Sequence, residues 1–181
     1  LDQKTCLIDG MDNAVRESFD SAVSSLLDGR SLDYFIIQHV EPDHCASIND
    51  ILIQHPQAKL VISRLGLNML KQFFPDAANM GINYDDISII VKEGDSLDLG
   101  EHKLQFIGAA NVHWPEVIMT YDQTSKVLFS ADAFGAFRAP DGHIYADQVE
   151  YEKDWLDEAR RYYFNIVGRQ GNAVQKVLDK A

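Results

Sequence analysis

Between residues 39 and 44 the chain reads His39-Val-Glu41-Pro-Asp43-His44, four side chains able to bind a metal within one short loop. Imidazole nitrogens and carboxylate oxygens bind zinc and the first-row redox metals, and a high share of oxygen favours the harder ions. In extended or turning backbone alternate side chains point the same way. His39, Glu41 and Asp43 can therefore converge on one side of the loop, with His44 opening the next element. Two further stretches carry such residues. Asn111-Val-His113-Trp-Pro-Glu-Val-Ile-Met-Thr-Tyr121 sets a histidine just ahead of an apolar run, and Lys126-Val-Leu-Phe-Ser-Ala-Asp132 sets an aspartate just behind one. A lone His-x-Glu in a loop is ordinarily a solvated pair. Ligand types at three strand ends read instead as one site, with the first loop supplying half of a two-metal centre.

The elements that must position these residues follow from periodicity. Residues 5–9 form a short apolar strand, and Val15, Phe19, Ala22, Val23, Leu26 and Leu27 recur at helical spacing until Asp28-Gly29 ends the helix. A strand over 34–38 leads into the ligand loop. A helix over 45–54 closes at His55-Pro56, a strand covers 59–63, and a helix over 64–74 stops at Pro75. The pattern then changes. Short strands at 87–91, 96–99, 103–108, 117–121 and 126–131 are separated by turn residues, as in consecutive hairpins. A Gly-, Pro- and Asp-rich loop over 133–149 precedes a helix over 152–167, with Trp155, Leu156, Ala159, Tyr163 and Ile166 on one face, and a final helix over 173–180. An alternating β/α half followed by a hairpin half predicts an α/β (α+β) chain folded as a four-layer αββα sandwich, with the site along one edge.

Composition narrows the function classes. With 181 residues and 46% apolar residues, the chain is suited to one soluble domain with a substantial core. A formal net charge of -12, with Lys and Arg dispersed, argues against a basic face for nucleic acid or an anionic membrane. The two cysteines, Cys6 and Cys45, make neither a disulfide framework nor a metal-type pair, which fits a reducing cytoplasm. No apolar run reaches membrane-spanning length. The start Leu-Asp-Gln-Lys is neither a signal peptide nor a natural initiator, so the chain reads as a piece of something longer. The absence of a Gly-x-Gly-x-x-Gly motif or phosphate loop argues against a nucleotide cofactor on this segment.

At its ligand motifs the chain resembles the metallo-β-lactamase superfamily, and within it the diiron domain of flavodiiron proteins, the oxygen and nitric oxide reductases of anaerobes. Most hydrolases of that superfamily carry His-x-His-x-Asp-His in the first loop, whereas the flavodiiron branch has glutamate in second place, as Glu41 is here. His113-Trp-Pro-Glu, Leu128-Phe-Ser-Ala-Asp132-Ala-Phe-Gly and Arg160-Arg-Tyr-Tyr-Phe-Asn-Ile-Val-Gly168 are similar to further signatures of the branch. The resemblance implies that residues 1–181 are a metallo-β-lactamase-like diiron domain, incomplete at both termini. One iron would be held by His39, Glu41 and His113, the other by Asp43 with His44 nearby, and Asp132 would bridge both. The branch takes a last histidine from a segment that would follow residue 181. Of the remaining histidines, His55 and His102 are expected at the surface, and His143 lies in a loop that could lean over the site.

By the same resemblance the parent protein reduces dioxygen to water or nitric oxide to nitrous oxide. Electrons would come through FMN on a flavodoxin-like domain beyond residue 181, fed by a rubredoxin-like or flavin donor, in a head-to-tail homodimer. This segment alone is not expected to sustain turnover. Two alternatives remain open from sequence. One is a zinc hydrolase of the same fold, its site completed by His44 and Asp132, against which Glu41 speaks. The other is a diiron oxygen sensor that binds the gas without reducing it. Trp114, Phe134, Phe137 and Tyr145 flank the ligands or the long loop and could line a dry channel for an apolar gas, with core the better reading for Trp114.

Overall fold

A computed structural model describes residues 2–139 and 142–180. Its first sheet has the order β1 (Cys6–Ile8), β2 (Tyr34–Ile37), β3 (Lys59–Ser63) and β4 (Ser88–Val91), all parallel. Parallel neighbours need crossover connections, and helices supply them. These are α1 (Arg16–Leu27), then α2 (Pro42–Cys45) with α3 (Ile48–Gln54), then α4 (Arg64–Phe73) with the single turn α5 (Tyr84–Ile87). The second sheet, β5 (Ser96–Asp98), β6 (Lys103–Gly108), β7 (Ile118–Asp122) and β8 (Val127–Phe129), is an antiparallel meander. The chain then runs through α6 (Leu156–Tyr162) and α7 (Gly171–Leu178).

Alternation along the strands sorts the core into layers. Phe35, Ile37, Leu60 and Ile62 pack with Val23, Leu27, Ile48, Ile51, Leu67 and Leu70 of the helices. Their neighbours Ile36 and Val61 face the other way, against Leu104, Phe106 and Ile118 of the second sheet. Val117 and Met119 meet Val167 and Val177 of the C-terminal helices. Helix, sheet, sheet, helix is the four-layer order read from the sequence. Each fully buried Phe or Ile of the central strands contributes about 1.5–3 kcal/mol by leaving water.

Several boundaries differ from the periodicity reading. The helix over 45–54 is two: Pro42 starts α2 at its first position, and the chain re-forms as α3 after Ser47. Ser47 is fully buried at the break and its hydroxyl accepts from the Met11 N–H at 3.1 Å, a tertiary contact that no local pattern encodes. Strand β4 starts at Ser88 because Asn83 caps the turn α5 just ahead of it, accepting from the Asp85 N–H. Strand β7 sits one residue later than the pattern placed it, at Ile118–Asp122. The helix expected over 152–167 is α6 flanked by the π-helical turns Tyr151–Trp155 and Tyr163–Val167.

The strand ends meet at one edge. The Asp9 N–H donates to Ile36 O at 2.8 Å, and the Gln38 N–H donates to Asp9 Oδ1 at 2.7 Å, so the ends of β1 and β2 are tied side by side. The Ile118 N–H donates to Gln38 O at 3.1 Å, joining the end of β2 to the start of β7 across the two sheets. Loops leaving the carboxyl ends of parallel strands are where α/β folds build their sites.

Candidate metal centre

His39 follows β2 and is fully buried. Its Nδ1 lies 2.7 Å from Glu116 Oε1, while its Nε2 lies 3.1 Å from Glu41 Oε2 and 3.7 Å from Asp132 Oδ2. Glu41 has extended backbone just ahead of Pro42, which turns its side chain back toward His39. His113 Nε2 lies 3.1 Å from the same Glu41 oxygen and 3.2 Å from Asp132 Oδ2. On the other side of Asp132, His44 Nε2 lies 2.9 Å from Oδ1 and 3.8 Å from Asp43 Oδ2. Asn111 and Ala131, close to His113 and Asp132, have φ of 66° and 48°, and Asp9 behind His44 has 56°. Left-handed backbone is tolerated by Asp9 and Asn111, whose short polar side chains suit it, and costs Ala131 roughly 1–2 kcal/mol.

These six residues fall into two groups. Donor atoms of His39, Glu41, His113 and Asp132 all lie within 4.8 Å of one another, as do those of Asp43, His44 and Asp132. Asp132 alone belongs to both. Burial opposes a charged His39, but Glu116 and Asp132 prevail and raise its pKa, so a proton or a metal ion can lie between its Nε2 and the two carboxylates that face it. His113 Nε2 carries at most one proton for the two oxygens that face it. Acceptors crowded so closely repel unless a proton or a metal cation lies between them, and the donor set offers places for two cations sharing one carboxylate.

The protein groups alone hold this cluster together by charge. Burial works against a charged His44, but Asp132 and Asp9 outweigh it and raise its pKa to about 10. Burial likewise opposes ionisation of Asp132, and His44, His39 and His113 reverse the balance, holding it below its ordinary value.

Three residues that the sequence reading missed support the site. Asp9 accepts from His44 Nδ1 at 3.0 Å and from both N–H groups of Gln38. Glu116 stands behind His39. Tyr162 of α6 lines the cleft in front of Asp132, and burial together with the Asp132 charge pushes its phenol pKa up. Asp9 closes an apolar strand and Glu116 precedes one, but the pairings span 35 and 77 positions, which no spacing rule connects.

A cleft of about 550 Å³ opens onto Glu41, Asp43, His113 and Asp132, its other walls formed by Asp12, Ala136, Tyr162 and Ile166 among others. Among the described residues, the aromatics that could have lined a channel do not do so. Phe134, Phe137 and Tyr145 are exposed and none lines this cleft, although Gly135 and Ala136 of the same loop do. Trp114 is partly buried core, with its ring edge-on to His39 at 5.1 Å. His102 is not simply a surface residue: its Nδ1 lies 2.6 Å from Asp122 Oδ2. His143 is exposed and belongs to neither group.

The sequence profile of the ODP family beta lactamase matches residues 1–177. The chain belongs to that family. This ODP-family chain is similar to diflavin flavoprotein A 1 of Synechocystis, with 31% identity over 178 residues that cover 98% of this chain and 29% of that protein. It is similar to the nitric oxide reductase of Moorella thermoacetica, with 32% identity over 99% of this chain and 43% of that protein. It superposes on rubredoxin oxygen:oxidoreductase of Desulfovibrio gigas with a TM-score of 0.86 and 27% identity, over 99% of this chain and 43% of that one. The chain thus spans less than half the length of these relatives. Among the described residues, no helix is long and apolar enough to cross a membrane.

Proposed function

We propose that this chain is the diiron domain of a flavodiiron oxidoreductase that reduces dioxygen to water or nitric oxide to nitrous oxide. The observation that carries the reading is the pair of donor groups sharing Asp132 at the floor of an open cleft. His39, Glu41 and His113 would hold one iron, Asp43 and His44 the other, and Asp132 both. Three carboxylates among six ligands make an oxygen-rich set suited to iron, which is what Glu41 in place of an imidazole favours. Two ferrous ions held there would supply one electron each, which balances the coupling of two nitric oxides to nitrous oxide and water, while reduction of dioxygen to water would need as many electrons again from the external donor. The relatives named for nitric oxide reduction and for rubredoxin-linked oxygen reduction support the same reading.

The chain's own residues set who enters and where it lies. Among the described residues no lysine or arginine lines the cleft, and Asp12, Glu41, Asp43 and Asp132 make it acidic. With Glu41, Asp43 and Asp132 engaged by two divalent cations the cleft would be close to neutral, so an uncharged diatomic would enter without electrostatic cost. Asp132 fixes the spacing of the two positions. Tyr162 lines the cleft with its hydroxyl engaged by Asp132, which would put a proton donor beside the shared carboxylate.

Electrons would arrive from FMN on a flavodoxin-like domain outside this chain, supplied by a rubredoxin-like or flavin donor, and a head-to-tail homodimer would bring that FMN to the cleft. The surface around the cleft supports a covering partner. Phe134, Tyr151, Tyr163 and Phe164 are exposed together along a groove that shares Gly135 and Tyr162 with the cleft. The test is elemental analysis of the chain purified without oxygen and offered iron and zinc together, followed by optical titration with nitric oxide. About two irons per chain and a new nitrosyl band support the proposal. Selective zinc uptake sinks it in favour of a hydrolase.

A further inference from the structure

We propose that Glu116 is a positioning residue that sets the strength of His39 as a metal ligand by accepting its Nδ1–H. This rests on the two-metal reading of the centre. Its side chain is only 1% exposed. Oε1 lies 2.7 Å from His39 Nδ1 and accepts from the Val40 N–H at 3.1 Å, while Oε2 is buried with no hydrogen-bond partner among the described residues. A dry carboxylate with one oxygen unmatched is an expensive way to fill space. Packing alone would be served as well by glutamine or leucine. What a carboxylate adds is a negative acceptor aimed at one ring nitrogen.

The geometry makes that acceptor effective. The Glu116 carbonyl accepts from Ser63 Oγ at 2.9 Å, and Ser63 caps α4 by accepting from the Gly66 N–H at 3.0 Å. Glu116 is thereby fixed to the end of β3 from its backbone and to the end of β2 from its side chain. Trp114, edge-on to His39 at 5.1 Å, bounds the ring on another side. The Val40 N–H lies 3.1 Å from both Nδ1 and Glu116 Oε1, and a proton on Nδ1 directed at the Glu116 carboxylate leaves Nε2 facing Glu41 and Asp132, which is the tautomer this proposal assigns. An anionic acceptor also enriches the imidazole in electrons. Ligands backed in this way bind metal more tightly, typically by about 10–100-fold.

The experiment uses cobalt(II) as an optical probe of the whole chain. Glu116→Gln keeps the volume and an acceptor for Nδ1–H but removes the charge. Its expected effect is a roughly 10–100-fold weaker first cobalt site with shifted d–d bands, and a metal-free Tm no lower than wild type. Wild-type affinity and bands in Glu116→Gln overturn the proposal, as does an affinity loss matched by a fall in metal-free Tm. A readout free of substitution is the long-range proton–nitrogen NMR spectrum of the zinc-loaded wild-type chain. His39 should show Nδ1 protonated and Nε2 bound to metal, and the opposite tautomer refutes the proposal even if Glu116→Gln fails to fold. A wild-type chain that takes up no metal overturns this proposal and the two-metal reading together, whereas metal uptake indifferent to Glu116 overturns this one alone.

Discussion

Replacing Asp132 by alanine should empty both metal positions at once. Its Oδ1 lies 2.9 Å from His44 Nε2 and its Oδ2 lies 3.2 Å from His113 Nε2, so each carboxylate oxygen faces a different donor group. Without it the first position keeps Glu41 as its carboxylate and the second keeps Asp43, whose side chain is 63% exposed and thus less firmly held. A charge-assisted contact is worth about 1.5–3 kcal/mol, so the loss at each position amounts to roughly 10- to 150-fold in Kd. The same change at Glu41 should weaken the first position alone, because Glu41 belongs to one group only. The assay is metal titration with elemental analysis after desalting, comparing wild type, Asp132→Ala and Glu41→Ala. Residue 132 is in none of the core clusters, so a cooperative thermal transition is expected in the variant and serves as the control. A full metal pair retained by Asp132→Ala, or loss of only one metal, refutes the bridging assignment.

Glu41→His should shift preference from iron toward zinc in competition, since it replaces a hard oxygen by imidazole, and unchanged selectivity would defeat the hardness argument. Gly135→Ala places a Cβ 2.7 Å from the Tyr162 ring, and overpacking of this kind costs about 1–3 kcal/mol, read as a lower Tm together with a changed environment of the tyrosine beside the cleft. An unchanged Tm would show that α6 yields freely. At the far end of the second sheet, burial disfavours the charged form of Asp122, but hydrogen bonds from Ser125, His102 and the Thr124 N–H prevail and hold its pKa below the ordinary value. A group whose pKa is depressed on folding stabilises above its unfolded value, near about 4, and loses that contribution as pH falls through the folded one. Asp122→Asn should therefore be less stable at neutral pH and show a shallower loss below about pH 4 in urea titrations, and parallel acid limbs for the two proteins would contradict this.

Much of the architecture was legible because it follows from local periodicity. The apolar runs of β2 and β3, the helical spacing of α1 and the turn residues between β5 and β6 each specify an element without reference to the rest of the chain. The ligand types were legible for a related reason: His39, Glu41, Asp43 and His44 are contiguous, and His113 and Asp132 each adjoin a strand. Local pattern could not reveal the break at Ser47, which depends on Met11, or the π-helical turns around α6. Nor could it say whether the aromatics of the long loop face the cleft, since apolar character alone does not set the direction of a side chain.

What the sequence by itself determined is the set of donors and the β/α-then-hairpin order, because residue identity and short-range periodicity are properties of single segments. The tertiary structure alone decided that Asp132 stands between two groups, that Asp9 and Glu116 back His44 and His39, and that the cleft in front is acidic and open. Those facts depend on how the ends of β1, β2, β7 and β8 meet at one edge. The hydrogen bonds and packing that join them act between residues far apart in the chain, where spacing carries no information.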